Sequence, residues 1–244
     1  MVFKLPKSFL LITNDGTRGD VVYNYFTKNK ANYDFYFMLN GVDLPDPSSK
    51  SLDVISYKSP YLVYPARIAR WKRQHLAIDI LRRLHDKGLP MNLYLAGHIT
   101  DIGYWNEIKD NISECGLESF VTYLGTVDRE TLYCLYRNAI AVLSLYEHSN
   151  LGNVVIEALI NGSVVLSFDD GSLGCFIESG VNGILVGSID EAVEQIDLLC
   201  HNMDLLFEIR KSAEFKASRD FKDWSTRVEE EIQLVNSAVM VNAK

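Results

Sequence analysis

The sequence predicts an α/β fold, a Rossmann-like parallel sheet with helices on both faces. Three observations carry that expectation. From about Tyr61 onward, short apolar runs alternate with longer amphipathic segments, the pattern of strands joined by crossover helices. Two of the runs, 140–145 and 163–168, are almost continuously apolar, as strands covered on both faces must be. Between them, residues 152–160 read as a helix whose only charged residue is Glu157, and a helix apolar on all sides is buried.

Taken in order, the first 57 residues differ in kind from the rest of the chain. Residues 8–12 read as a strand, 14–19 as a turn, and 20–27 as a short helix with Val21, Val22, Tyr25 and Phe26 on its apolar side. Residues 33–38 are strand-like, and a segment containing Pro and Ser, 44–50, has the composition of a linker. Two strands and one short helix cannot bury a core of their own.

The regular alternation then begins with a strand at 62–66 that ends at Arg67. The spacing of Ala77, Ile78, Leu81 and Leu84 predicts a helix over 71–85, stopped at Lys87-Gly88-Leu89-Pro90. Arg67, Arg70, Lys72 and Arg73 form a basic cluster at this strand-to-helix turn. It is either an anion site or a solvated helix start, and cations at a helix N-terminus oppose the dipole, which weakens the second reading. A strand at 91–97 ends in Gly97, a helix covers 105–115, and a strand at 120–125 ends in Gly125. Either glycine could let backbone approach a ligand, and either could serve turn geometry alone. Asp128 is placed to cap the next helix, with Leu132, Leu135 and Tyr136 inward. Beyond the buried helix come a glycine-rich turn at 169–174, a strand within 180–186, and three helices over 189–199, 204–218 and 224–237.

Composition bounds the function. The chain has 244 residues, 48% of them hydrophobic, enough for one substantial core. A net charge of −8 argues against a general nucleic-acid binder. Cys115, Cys134, Cys175 and Cys200 are far apart and form no Cys-x-x-Cys pair, which fits reduced thiols in a cytoplasmic protein and no metal site. No run approaches the ~20 apolar residues of a membrane helix, and peripheral membrane contact stays open without a positive signal for it.

Glu157 poses the chemical question, because an ionised carboxylate in a buried helix is costly unless something meets it. Helical side chains lean toward the N-terminus, so Glu157 reaches back toward the sheet edge where open α/β folds bind ligands. A nucleotide diphosphate could sit on the free amides near Asn153 and Val154, with a ribose diol beside Glu157. The alternative is a structural ion pair with a nearby Arg or Lys.

Residues 149–158, Ser-Asn-Leu-Gly-Asn-Val-Val-Ile-Glu-Ala, resemble the donor-site motif of retaining GT-B glycosyltransferases of the family 4 type, also called glycosyl transferases group 1. The family pattern is Glu, any residue, Phe, Gly, four residues, Glu-Ala. Gly152 and Glu157 match it, and Ser149 stands where the first glutamate belongs. The resemblance implies that Glu157 holds the nucleotide ribose, and it puts the sugar contact at Ser149 in question, with Asn150, Gly152 and Asn153 as further polar contacts. It also implies that Arg67 and Lys72, at the family's spacing, clasp the donor diphosphate, and that the base lies near Gly97 and Gly125. Asn40-Gly41-Val42-Asp43 is similar to the segment closing the family's N-terminal acceptor domain, so residues 1–57 are expected to be a remnant of that domain and 58–244 the nucleotide-sugar domain. The helix from Trp224 resembles the tail that crosses back over the N-terminal domain. The resemblance thus implies a transferase that uses a UDP-, GDP- or ADP-sugar with retention, requires no metal or other cofactor, and depends on an N-terminal domain or partner for its acceptor. A non-catalytic nucleotide-binding module stays open beside it. A dinucleotide oxidoreductase is disfavoured, since no Gly-x-Gly-x-x-Gly follows the first strand.

Overall fold

The computed structural model describes residues 10–13, 19–27, 35–45, 60–147 and 152–242. Residues 14–18 of the turn expected over 14–19, the first residues of both N-terminal strands and the linker beyond Pro45 are outside them, and Gly19 is the first residue of the first helix.

Two sheets form. In the smaller, β1 (Leu10–Thr13) and β2 (Phe35–Met38) pair in parallel, with α1 (Gly19–Thr27) between them in sequence. The larger has six parallel strands: β3 (Tyr61–Pro65), β4 (Asn92–Ala96), β5 (Val121–Gly125), β6 (Ala141–Ser144), β7 (Val165–Phe168) and β8 (Ile184–Val186). Their order is β5-β4-β3-β6-β7-β8, so β3 and β6 are central, and all their residues are buried. The continuous apolar runs arise here because a central parallel strand has no face turned to water.

Alternation along each strand sends residues to two cores. Leu62, Tyr64, Leu143 and Leu166 face one side, with buried residues of α2 (Gln74–Asp86), α3 (Ile102–Glu114) and α6 (Ile189–His201). Tyr61, Val63, Val142 and Val165 face the other, with α4 (Arg129–Asn138) and α5 (Asn153–Ile160). Helix α7 (Met203–Asp220) supplies Leu206 and Ile209 to the first core and Ala213 and Ala217 to the second, wrapping from one face to the other. Each fully buried aliphatic side chain contributes about 1.5–3 kcal/mol, so Leu143→Ala in the sheet centre should cost about 2–5 kcal/mol.

Two helix starts lie three residues from the sequence expectation, and the last helix runs to Asn242 rather than 237. The single helix expected over 71–85 is broken: a 3-10 turn spans Arg70–Lys72, Arg73 adopts φ 57°, and α2 starts only at Gln74. Gln74 explains the break, being fully buried with its side-chain amide donating to the Arg67 carbonyl at 2.9 Å. Helix α3 begins at Ile102 rather than 105, because the Asp101 carboxylate accepts from the Tyr104 amide at 2.9 Å and caps it.

The N-terminal piece docks through its last residues. Helix α8 (Trp224–Asn242) passes beside them: Val42 donates to the Lys222 carbonyl at 2.9 Å, and buried Arg227 donates to the Leu39 carbonyl at 2.7 Å. A Cβ on Gly41 would lie 2.7 Å from the Trp224 Cα, so only glycine allows this approach. The tail therefore packs against residues 39–42.

Candidate functional site

In this strand order the connections from β3 and β6 leave the sheet in opposite directions, opening a crevice at their carboxyl ends. The loops after β3 and β6 line it. From the first come Arg67 and, on the 3-10 turn, Lys72; from the second come Tyr146 and the N-terminus of α5.

Lys72 is half-buried and seated among rings. Its Nζ lies 3.3 Å from the Tyr146 ring centroid and 4.1 Å from that of Trp71, while the Arg67 guanidinium carbon lies 5.4 Å from Trp71. Burial, and secondly the neighbouring Arg67 charge, push the Lys72 ammonium down to about 8. Two cations are thus held side by side with no carboxylate in salt-bridge contact among the described residues. The other members of the basic cluster are occupied elsewhere: Arg70 pairs with Glu107 over the Tyr104 ring, and Arg73 points toward Phe168.

Helix α5 starts directly from the crevice. Gly152 is its N-cap, with no side-chain cap, and its carbonyl takes the amide of Val155 at 2.9 Å. The amides of Asn153 and Val154, the two residues before it, have no acceptor among the described residues. One turn on stands Glu157. Burial pushes its carboxyl up to about 7, with Arg129 acting to lower it and Asp43 to raise it. The ion-pair alternative fails on geometry, because Arg129 is engaged with Asp43 at 2.8 Å and no cation forms a salt bridge with Glu157 among the described residues. Tyr133 donates to the Asp43 carbonyl at 2.8 Å, closing a small cluster around the carboxylate.

Gly97 and Gly125 end the neighbouring strands, and the Gly97 amide donates to the Gly125 carbonyl at 2.7 Å. They differ in what they accommodate. A Cβ on Gly97 would fall 2.4 Å from the Ala66 carbonyl oxygen, so Gly97 makes room for the chain leading into Arg67. Gly125, at φ 68°, has open space around it and is a left-handed turn residue. Ser149 and Asn150 lie outside the described residues. Tyr146, Trp71 and Gln74 are site residues that spacing did not reveal, since an aromatic or an amide in such positions reads as ordinary packing. The unusual φ of Arg73 is likewise invisible in sequence.

The sequence profile of "Glycosyl transferases group 1" matches residues 52–215, a span that includes Arg67, Lys72, Arg129, Tyr146 and Glu157 and leaves out Asp43. The chain belongs to this family. Among curated relatives, the trehalose synthase of Thermococcus litoralis is 24% identical over 167 residues, 66% of this chain and 40% of that protein. Among solved structures, Anabaena HepE in complex with UDP and glucose superposes with a TM-score of 0.76 at 22% identity, covering 94% of this chain and 63% of HepE. The C-terminal domain of the group 1 protein LpcC from Francisella tularensis gives 0.61 at 20% identity over 68% of this chain and 89% of that domain. These likenesses identify the six-stranded unit of this group 1 chain as the Rossmann-like domain of a GT-B fold. The chain spans 40% of the curated trehalose synthases it matches and 63% of HepE. No helix among the described residues is long and apolar enough to cross a membrane.

Proposed function

We propose that this group 1 chain binds a nucleotide diphosphate sugar and supplies the donor half of a retaining sugar transfer. The observation that carries the reading is a convergence at the β3–β6 crevice. Among the described residues, two cations without salt-bridge partners, two helix-terminal amides without acceptors, and a half-buried carboxylate without a salt bridge meet there. Each group has an unmet electrostatic demand, and together they complement a diphosphate beside a diol. The UDP complexes of the similar HepE agree with such a donor, UDP-sugar before GDP- or ADP-sugar.

Arg67, Lys72 and the amides of Asn153 and Val154 receive the diphosphate, and the ionised Glu157 accepts hydrogen bonds from the ribose hydroxyls. As the bond from sugar C1 to the phosphate oxygen breaks, its electron pair goes to the diphosphate, where the same donors meet the growing charge. The two cations answer the charge that a metal would otherwise meet, so the reading asks for none. Glu157 binds and is not a nucleophile. The sugar lies toward Ser149, Asn150 and Gly152, and the base toward Gly97 and Gly125. The acceptor is held by an N-terminal domain, to which residues 1–57 belong, or by a partner, in the cytoplasm.

Calorimetric titration with UDP, GDP and ADP tests this on the intact chain and on Glu157→Gln and Lys72→Ala. One nucleotide should bind, in the presence or absence of a chelator, and both substitutions should weaken it about tenfold or more. Glu157→Gln should at the same time raise the melting temperature of the free chain at pH 8, since it removes a half-buried charge that forms no salt bridge among the described residues. Loss of stability in that variant, or unaltered nucleotide binding, would return Glu157 to a structural role.

A further inference from the structure

The ring contacts of Lys72 form a continuous ladder: Tyr146, Lys72, Trp71, Arg67, with separations of 3.3, 4.1 and 5.4 Å between each cation and ring. The two rings meet edge to face, 6.1 Å apart at 65°. They come from different loops, and the loops are themselves joined by the Glu147 amide donating to the Trp71 carbonyl at 3.2 Å. Tyr146 is buried, with its hydroxyl 3.4 Å from the Pro65 carbonyl, and Tyr64 donates to the Lys72 carbonyl. Trp71, by contrast, is 42% exposed, more than packing alone calls for in so large a ring.

A lysine beside an arginine has every reason to swing away. The like charges repel, the flexible stem gains rotamer freedom in water, and the ammonium gains hydration. Ring faces carry negative quadrupole density and offset all three effects for a cation lying on them. We propose that Tyr146 and Trp71 are positioning residues that hold the Lys72 ammonium beside Arg67 before ligand arrives, so that the diphosphate meets two aligned cations and does not have to order them. The role rests on the diphosphate-binding function proposed for this crevice and adds to it how the like-charged pair is kept in place. Pre-ordering of this kind improves affinity by reducing what binding must immobilise.

The titratable and charged groups around Lys72 are few. Arg67 faces it from the loop after β3, Tyr64 from β3 itself and Tyr146 from the end of β6; Arg73 acts on Tyr64, and Glu157 from α5 acts on Tyr146. None of the described carboxylates forms a salt bridge with it, so the rings are what holds the ammonium beside Arg67.

Two readouts test the proposal on the full chain. The first needs no nucleotide: the titration of Lys72 is followed by NMR of carbon-labelled lysine side chains, with the signal assigned by Lys72→Arg. Tyr146→Leu, which stays apolar and loses the π face, should let the ammonium swing into water away from Arg67 and move the Lys72 titration to higher pH, and Tyr146→Phe should restore it. Trp71→Leu, at an exposed position that tolerates change, should move it the same way and stands in if Tyr146→Leu does not fold. The second readout is UDP titration, in which the two Leu variants should bind about tenfold more weakly at pH 8 and Tyr146→Phe near normally. An unmoved Lys72 titration in the Leu variants would overturn the aromatic hold whatever UDP does. A moved titration with unaltered UDP affinity would overturn the positioning role, and no UDP binding by the wild-type chain would refute the diphosphate reading and the role together.

Discussion

Glu157 and Lys72 are pushed by burial in opposite directions, toward each other's range. The carboxyl rises from 4.5 to about 7 and the ammonium falls from 10.5 to about 8. A carboxyl whose folded pKa exceeds its unfolded value binds its proton more tightly when folded, so its ionisation opposes folding. That opposition is absent below about 4.5 and complete above about 7. Glu157→Gln should therefore stabilise the chain more at pH 8 than at pH 5, measured as melting temperature in the two buffers. For Lys72 the unfolded state holds the proton more tightly, so its contribution to stability rises as pH climbs from about 8 toward 10.5. Ligand binding has the complementary profile: UDP affinity should be greatest between about 7 and 8, where Glu157 is ionised and Lys72 still charged. It should fall on the acid side as the carboxylate is lost and on the alkaline side as the ammonium is lost. Lys72→Arg should abolish the alkaline limb, and any acid limb left in Glu157→Gln belongs to the nucleotide's own phosphate.

At the scale of elements, the site depends on how tightly the end of β3 is held. Gly97 lets β4 pass within contact of Ala66, and Gln74 binds the Arg67 carbonyl from the start of α2. Gly97→Ala, at φ 143° with backbone atoms closer than 3 Å on the new Cβ, should cost at least ~2 kcal/mol and displace Arg67. Gly125→Ala has free space and only a left-handed φ to overcome, so ~1 kcal/mol is expected. Denaturant midpoints of the two variants should separate accordingly, and UDP affinity should fall in the first. The helix from Gln74 was legible in the spacing of Ala77, Ile78, Leu81 and Leu84. Its true start was not, because nothing in Arg-Trp-Lys-Arg announces a 3-10 turn or a left-handed arginine. The buried glutamine that fixes them takes its meaning from a carbonyl seven residues away in the chain.

Over the whole molecule, the Asn40-Gly41-Val42-Asp43 segment reaches the site from the far end of the chain. Asp43 occupies Arg129, the cation that would otherwise neutralise Glu157, and adds its own repulsion. Asp43→Asn should release Arg129 toward Glu157, lower the Glu157 pKa and shift the acid limb of UDP binding to lower pH. The same titration series reads it out. An unmoved acid limb would mean that the N-terminal piece and the site are electrostatically independent. Trp224 against Gly41 and Arg227 on the Leu39 carbonyl hold that segment in place, so the contact between α8 and residues 39–43 is what sets the charge environment of a residue on α5.

The sequence by itself determined the parallel sheet, the buried α5 and the identity of Arg67, Lys72 and Glu157 as candidates. The sheet and α5 come from hydrophobic period, Glu157 from the cost of a charge in an apolar helix, and Arg67 with Lys72 from a basic cluster whose spacing is the one the family resemblance implies. Strand order, and with it the crevice between β3 and β6, was decided only by tertiary packing. So was the state of each charged group. Whether Glu157 is paired, and whether Lys72 is solvated or seated on rings, depends on side chains from segments far apart in sequence, and burial and Coulomb interactions act through space rather than along the chain.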